Sequence, residues 1–173
     1  YVVDKNHEIT NYRHQSDKNS ISNNQVRCII EDNLGKIWIG TFYGLNQYDP
    51  ETKIWKKYVN VDNIFYSISH SSIFALYKDR QGTVWVGTYF GGVNYFNTEV
   101  DIFRYYGASS INKEYLSFPF VGNMVQDNED NLWICTEGGG LNCLNLKNRR
   151  FSRYMSDINN LESADHNNLK CVW

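Results

Sequence analysis

The chain has little proline and little cysteine, with two prolines and four cysteines in 173 residues. Because proline is scarce, the turns must depend on glycine, asparagine and aspartate. No two cysteines form a C-x-x-C pair or take a metal-ligand spacing, which argues against a disulfide scaffold and a zinc site. We interpret the cysteines as small buried hydrophobic residues; they are Cys28, Cys135, Cys143 and Cys171.

The chain also lacks an excess of charge and a long hydrophobic run. It carries 17 basic and 19 acidic residues, a net charge of −2, so we expect no nucleic-acid partner. No apolar stretch approaches the roughly 20 residues of a membrane helix, and we expect no membrane contact within this segment. With 42% hydrophobic and 21% charged residues, the composition is typical of a folded globular protein.

Aromatic residues are abundant, at 16% of the chain, and tryptophan marks an internal repeat. Trp38, Trp85 and Trp133 recur at intervals of 47 and 48 residues. Each is followed by a Gly-Leu-Asn or Gly-Val-Asn sequence, and then by an aromatic residue with tyrosine three positions later. An aspartate lies six residues before each tryptophan; these are Asp32, Asp79 and Asp127. So many shared positions at one period indicate a true repeat.

Each unit predicts four short strands. The first is apolar nearly throughout, as in residues 73–77, which predicts a strand buried on both faces. A turn follows with aspartate first and glycine last; in the third unit Asp130 replaces that glycine, and aspartate tolerates a positive φ. The tryptophan strand is second, a glycine-containing loop leads to the third, and the strand ending in tyrosine is fourth.

Tandem units of four strands predict an all-β fold of β-propeller blades. The chain contains about 3.6 units, whereas a closed ring needs about four to eight blades. Together with the start at Tyr1 rather than methionine, this predicts part of a larger ring, completed by neighbouring blades of the same protein or by self-association. The predicted blade units are residues 1–12 (the end of a blade), 13–58, 59–106, 107–154 and 155–173 (the start of a blade).

The unit resembles a known repeat. The pattern D-x-x-G-x-[hydrophobic]-W-[IV]-G-T, then G-[LV]-N, then [aromatic]-x-x-Y, is similar to the two-component regulator propeller repeat, most closely at residues 29–41, IIEDNLGKIWIGT. The connectors carry a further family-like element, Ile-Ser or Leu-Ser, a few residues before each first strand. The third unit departs from the pattern at Asp130 and Cys135, and we expect these departures to weaken individual turns.

The resemblance implies a function. In that family the repeats build the periplasmic sensor region of hybrid two-component systems, which contain a histidine kinase and respond to glycan-derived oligosaccharides. It implies part of a seven-bladed ring and a possible oligosaccharide ligand. The alternative is a protein-interaction or dimerisation scaffold without direct ligand binding.

No catalytic constellation is visible in the sequence. The four histidines lie in connectors or poorly patterned segments at non-equivalent repeat positions, and no Ser/His/Asp set is indicated. Residues 127–131 look superficially like a calcium loop, but they lack the glycine and terminal glutamate of an EF-hand. We therefore predict no enzymatic activity, no metal site and no cofactor, and we disfavour a propeller enzyme.

The candidate ligand-binding residues are aromatic side chains in loops. In a propeller, the loops between second and third strands and the blade connectors emerge on one face, and the hairpin turns on the other. Rings on the first face can stack on sugar C–H surfaces; alternatively, they only pack the loops onto the blade edges. The candidates are Phe42, Tyr43, Tyr89, Phe90 and Glu137, with Phe65, Tyr66, Tyr115 and Phe118 in the connectors.

Overall fold

The computed structural model describes residues 2–3, 7–16, 19–64, 66–97, 102–160 and 163–170. These residues form one two-stranded sheet, β1 (Val2–Val3) with β2 (Ile9–Thr10), and three four-stranded antiparallel sheets. The first of the three contains β3 (Val26–Glu31), β4 (Ile37–Thr41), β5 (Gly44–Asp49) and β6 (Ile54–Tyr58). The second contains β7 (Ile73–Lys78), β8 (Val84–Thr88), β9 (Val93–Asn97) and β10 (Ile102–Tyr106). The third contains β11 (Val121–Gln126), β12 (Asn131–Thr136), β13 (Gly140–Asn145) and β14 (Arg150–Tyr154).

Each four-stranded sheet follows chain order, with every strand paired to the next. The tryptophan strand is second and the strand ending in tyrosine is fourth, so the all-β prediction and the strand order within a unit are confirmed. The first strand of each four-stranded sheet also carries an irregularity near its start, between Val26 and Cys28 in β3, between Ile73 and Ala75 in β7 and between Val121 and Met124 in β11. A bulge of this kind turns a side chain out of the regular alternation.

Glycine allows neighbouring sheets to approach closely. A Cβ atom on Gly40 would lie 2.6 Å from Cγ2 of Ile73, and one on Gly87 would lie 2.6 Å from Cγ1 of Val121. Both glycines are therefore contact points where the first residue of the next sheet rests directly on backbone. This accounts for the glycine of the W-x-G-T sequence; in the third unit the buried Cys135 stands at that position.

The repeated tryptophans pack toward the following sheet. Trp38 is fully buried, and its ring lies 4.8 Å from that of Phe96 in the second sheet. Trp85 is equally buried and lies 6.0 Å from the guanidinium of Arg149 in the third sheet. Trp133 is only half-buried. The first two tryptophans are therefore fully buried, and the third is buried only in part.

Tyrosine at the end of each unit makes a second contact between units. The Tyr58 ring lies 5.1 Å from Phe103 of the second sheet, and the Tyr12 ring lies 5.6 Å from Trp55 of the first. The third sheet receives the equivalent contact, between Tyr106 and Phe151 at 5.3 Å. Tyr12 thus packs on the first sheet as the later tyrosines pack on the sheets that follow them.

The first strands differ in burial. Ile73 and Ala75 of β7 are buried, whereas Val26 and Ile29 of β3 are 48% and 58% exposed. The prediction that the first strand is buried on both faces is therefore wrong for β3. Cys28 packs against the cluster shared with the second sheet, and Ile29, its neighbour in the alternation, points to the opposite side.

The cysteines are consistent with their predicted role. Cys135 and Cys143 are buried, and Cys28 is half-buried; Cys171 lies outside the described residues. Burial raises the pKa of the Cys28 thiol to about 12, so this thiol stays protonated. Across the described part of the chain, no helix has the length and apolar character needed to cross a membrane.

Candidate functional site

The loops between second and third strands lie beside the blade connectors, as the propeller arrangement predicts. The backbone N–H of Gly44 donates to the carbonyl of Ser71 at 2.7 Å, and Gly92 donates to Pro119 at 3.0 Å. Each hydrogen bond joins a loop to the connector that enters the next sheet. We call this end of the sheets the loop face; it comprises residues 42–43, 59–64, 66–72, 89–92, 107–120 and 137–139.

A buried asparagine anchors each connector. In the second unit, Asn94 is fully buried; its Oδ1 accepts from the Ser69 backbone N–H at 3.0 Å and its Nδ2 donates to Ser69 Oγ at 2.7 Å. Ser69 Oγ in turn donates to the carbonyl of Gly91 at 2.8 Å. The same amide-to-backbone bond joins Asn46 to Ser22 and Asn142 to Ser117. The Ile-Ser or Leu-Ser element of the connectors is thus the partner of the asparagine in the Gly-Leu-Asn sequence.

The first cavity on the loop face has a volume of about 570 Å³. Three candidates from the sequence line it: Phe42, Tyr43 and Tyr89, which are 50%, 57% and 38% exposed. They come from the loops of two successive units, and the connector between those units completes the wall. The lining is Arg27, Phe42, Tyr43, Asn60, His70, Ser71, Ser72 and Tyr89; we call it the aromatic pocket.

The second cavity lies between two connectors and has a volume of about 720 Å³. It contains Phe90, a fourth candidate, and Phe118, and it shares Asn60 with the aromatic pocket. Five serines contribute to its lining: Ser67, Ser69, Ser109, Ser110 and Ser117. We call it the serine-rich pocket.

Glu137 is not brought to either pocket. It lies in the loop of the third unit, where its backbone N–H donates to the carbonyl of Phe120 at 3.1 Å and where it pairs with Asn168. Tyr66 and Tyr115 also line neither pocket, and Phe65 lies outside the described residues. The structure therefore gathers Phe42, Tyr43 and Tyr89, places Phe90 beside them, and leaves Glu137 apart.

Arg27 of β3 lines the aromatic pocket, and Phe74 of β7 packs on Arg27 and Tyr89; the sequence did not indicate either residue. The guanidinium carbon of Arg27 lies 4.0 Å from the centroid of Phe74 and 5.1 Å from that of Phe42. Phe74 stacks on Tyr89 at 5.6 Å, and Phe120 lies 4.6 Å from both of those rings. Arg27 and Phe74 are the bulged residues of β3 and β7, so a regular alternation along the strand does not predict where their side chains lie.

Two histidines occupy equivalent connector positions. Nδ1 of His70 accepts a hydrogen bond from the Ser72 backbone N–H at 3.0 Å, and Nδ1 of His166 accepts from Asn168 N–H at 3.2 Å. The two are 96 residues apart, which is two repeat lengths. The prediction that the histidines lie at non-equivalent repeat positions is wrong for this pair. Each ring caps the segment that follows it.

Aspartates in the hairpin turns, at the end of the sheets opposite the loop face, accept hydrogen bonds from the tryptophan indoles. Trp85 Nε1 donates to Asp79 Oδ2 at 2.7 Å, while Oδ1 of the same carboxylate accepts from the Thr83 backbone N–H at 2.8 Å. The indoles of Trp38 and Trp133 donate to Asp32 and Asp127 in the same way, at 2.8 Å each. The sequence did not reveal the hydrogen bond from the indole to the aspartate, although the constant spacing of six residues between the two was its signal.

The third turn departs from the others at Asp130. Its φ of 66° matches the positive φ of Gly35 and Gly82, as expected of an aspartate that replaces glycine. Its carboxylate pairs with Arg80 of the second sheet at 2.6 Å and with Lys147 at 3.2 Å, and these hydrogen bonds lower the pKa of Asp130. Asp130 thus links this turn to the second sheet; the expected weakening of the turn stays a prediction. Among the described residues, no group of three potential metal-ligating side chains occurs.

None of the curated proteins matches the chain, but solved structures resemble it. The extracellular domain of a putative hybrid two component system from B. thetaiotaomicron gives a TM-score of 0.77 at 23% identity, over 87% of this chain and 21% of its own. A second such extracellular domain from that bacterium gives 0.63 at 26% identity, over 82% and 20%. Virginiamycin B lyase from Staphylococcus aureus gives 0.58 at 12% identity, over 80% and 44%, a likeness of fold alone.

The chain spans about a fifth of the length of the two extracellular domains. The family model described as the two component regulator propeller matches it twice, at residues 20–43 and 67–90. Each match runs from the connector serine region through the tryptophan strand into the aromatic loop, the part of the unit whose contacts recur most closely. The chain therefore carries two segments that match the two-component regulator propeller repeat, and each segment contributes the first two strands of a four-stranded antiparallel sheet.

Proposed function

We propose that this chain is part of the periplasmic sensor module of a hybrid two-component signalling protein with a histidine kinase. Two observations support the proposal: the repeat match at residues 20–43 and 67–90, and the likeness to an extracellular domain of a putative hybrid two component system at 26% identity. A module of this kind has to recognise a ligand or pass on its binding, so it needs a surface suited to recognition rather than a catalytic centre.

The loop face is the surface that suits recognition, and its ligand is a glycan-derived oligosaccharide. Exposed rings at Phe42 and Tyr43 offer apolar faces for sugar C–H groups, and the tyrosine hydroxyl is free to hydrogen-bond sugar hydroxyls. Cavities of about 570 and 720 Å³ fall within the usual range for small-molecule sites. The gathering of Phe42, Tyr43 and Tyr89 from two units is the single observation that carries this proposal.

Calorimetric titration of the full sensor region with a panel of oligosaccharides tests the proposal. We expect at least one member to bind and the variants Tyr43→Ala and Tyr89→Ala to weaken that binding by about tenfold or more, since each removes a stacking ring. Tyr66→Ala is the matched control, because Tyr66 is 62% exposed and lines neither pocket. Absence of heat with every member of the panel would contradict direct binding.

A protein-interaction scaffold is the second candidate. It is favoured by exposed apolar side chains on β2 and β3, where Ile9, Val26 and Ile29 are 68%, 48% and 58% exposed. A scaffold that uses this surface predicts that Ile9→Asp with Ile29→Asp abolishes association in light scattering, whereas Tyr43→Ala with Tyr89→Ala leaves the response to sugars unchanged. A sensor predicts that Tyr43→Ala with Tyr89→Ala removes the response to sugars and leaves association unchanged.

A further inference from the structure

Arg27 is the bulged residue of β3, and its side chain lies at the loop face. Val26 pairs with Thr41 and Cys28 with Gly40, so Arg27 has no partner in the ladder. Its guanidinium packs on the rings of Phe74 and Phe42, at 4.0 and 5.1 Å from their centroids. An arginine stacked on aromatic rings keeps its N–H groups in the plane between them, where they can meet a ligand edge-on.

The hydrogen bonds of Arg27 fix the orientation of its guanidinium and use only one of its three nitrogens. Nη1 donates to Ser72 Oγ at 2.8 Å and to the carbonyl of Ile73 at 3.4 Å. Within the described part of the chain, Nε and Nη2 make no hydrogen bond and no carboxylate forms an ion pair with Arg27. The guanidinium is therefore held in place through Nη1, and its Nε and Nη2 donors remain available to a ligand.

The two pockets of the loop face differ in charge. Of the described residues that line the aromatic pocket, Arg27 alone bears a formal charge, and of those that line the serine-rich pocket, Asp62 alone does. His70 adds a donor: because its Nδ1 accepts from Ser72 N–H, the neutral imidazole carries its hydrogen on Nε2. The aromatic pocket thus offers donors and a cation, and the serine-rich pocket offers hydroxyl groups.

We propose that the aromatic pocket binds the anionic group, a carboxylate or a sulfate, of an acidic oligosaccharide. The proposal rests on the sensor function above and specifies its ligand class. The anion accepts from Nε and Nη2 of Arg27, the exposed ring of Tyr43 stacks on the sugar that bears it, and neutral units continue past the shared Asn60 into the serine-rich pocket. A neutral sugar in the aromatic pocket would leave the guanidinium desolvated and without a counter-charge, which costs binding free energy.

The test is calorimetric titration of the full sensor region with matched pairs of oligosaccharides. Each uronate oligosaccharide is paired with its methyl ester, and each sulfated oligosaccharide with its desulfated form, so that the members of a pair differ only in the anion. The variants are Arg27→Gln, which removes the charge, and Arg27→Lys, which keeps the charge and loses the planar fork. Arg104→Gln is the matched control, since Arg104 is an exposed arginine outside both pockets.

We expect an acidic member to bind and its neutral partner to bind roughly 10- to 100-fold more weakly, as loss of a charged hydrogen bond requires. Arg27→Gln should reduce binding of the acidic member to that of the neutral one, Arg27→Lys should fall between, and Arg104→Gln should bind as the wild type does. The uronate and sulfate arms show which anion is recognised.

Two results would overturn the proposal. If neutral oligosaccharides bind as tightly as acidic ones, or if Arg27→Gln binds the acidic member unchanged, the anion site is wrong and the sensor function stands. If no member of any pair binds, the sensor function as stated fails, and the anion site fails with it. Thermal unfolding of each variant confirms that a loss of binding is not a loss of fold.

Discussion

The indole Nε1 of Trp85 donates a 2.7 Å hydrogen bond to Oδ2 of Asp79, six residues earlier in the chain. The other carboxylate oxygen accepts from Thr83 N–H at 2.8 Å, so one buried side chain joins the hairpin turn to the tryptophan that packs against the next sheet. The same pair occurs in all three units. It explains why aspartate and tryptophan keep a constant spacing although the residues between them vary.

Removing the carboxylate should destabilise the protein. We expect Asp79→Ala to lower the free energy of unfolding by about 2 to 3 kcal/mol, because the indole N–H and the turn N–H both lose a charged acceptor. Asp79→Asn should cost less, since the amide oxygen still accepts one bond. Urea unfolding followed by tryptophan fluorescence measures the change. Glu51→Ala, an exposed substitution, is the control; an equal loss in Asp79→Ala and Glu51→Ala would refute the role of the pair.

Because neighbouring sheets approach closely at Gly87, we expect a larger side chain at this position to destabilise the protein. Gly87→Ala places a methyl group 2.6 Å from Cγ1 of Val121, and overpacking of this kind costs about 1 to 3 kcal/mol. Gly107→Ala is the matched control, because its Cβ would lie 3.6 Å from Cε2 of Tyr105, an ordinary contact. Thermal unfolding of both variants measures the difference.

A compensating substitution makes the glycine prediction sharper. Val121→Ala removes the methyl groups that the new Cβ of Gly87→Ala would meet, so the double variant should be more stable than the sum of the two single changes predicts. Strict additivity would mean that the two positions do not touch.

The turn of the third unit predicts a loss of stability in acid. Burial raises the pKa of Asp127, but hydrogen bonds from Asn131, Trp133 and Glu129 together lower it by more than burial raises it. The pKa of Asp127 is therefore well below its usual range. A pKa depressed in the folded state stabilises the fold above about pH 4 and loses this contribution as the pH falls.

Thermal unfolding between pH 6 and pH 3 measures that loss. Asp127→Asn should be less stable than the wild type at pH 6 and should lose less stability on acidification, because it has no proton to bind at this site. Asp157→Asn, at an exposed position, serves as the control. A wild-type pH dependence retained in Asp127→Asn would show that this carboxylate does not contribute.

The sequence predicted the architecture well because the fold is a repeat. Trp38 and Trp85 lie at buried contacts between sheets. A period of 47 to 48 residues identifies such positions even when the residues that they contact are unknown. The connector contact between Asn94 and Ser69 was visible only as two recurring elements, since nothing in the sequence shows that residues 25 positions apart meet.

The candidate site was harder to predict because it depends on departures from the repeat. Arg27 and Phe74 belong to apolar-looking first strands, and only the bulge brings them to the loop face. Glu137 occupies the position of Tyr89 one unit later, so the sequence grouped residues that the structure separates. The exposure of Ile29 likewise depends on which elements pack beside β3, which periodicity does not reveal.

Both proposals require that the ligand binds at the loop face. Hydrogen exchange of the full sensor region, with and without a saturating oligosaccharide identified by titration, tests it directly. Binding at the loop face predicts slower amide exchange at residues 42–43, 59–64, 66–72 and 89–92, with no change at the hairpin turns 32–35 and 79–82. Slower exchange confined to those turns, or none anywhere in this segment while the oligosaccharide is bound, would contradict it.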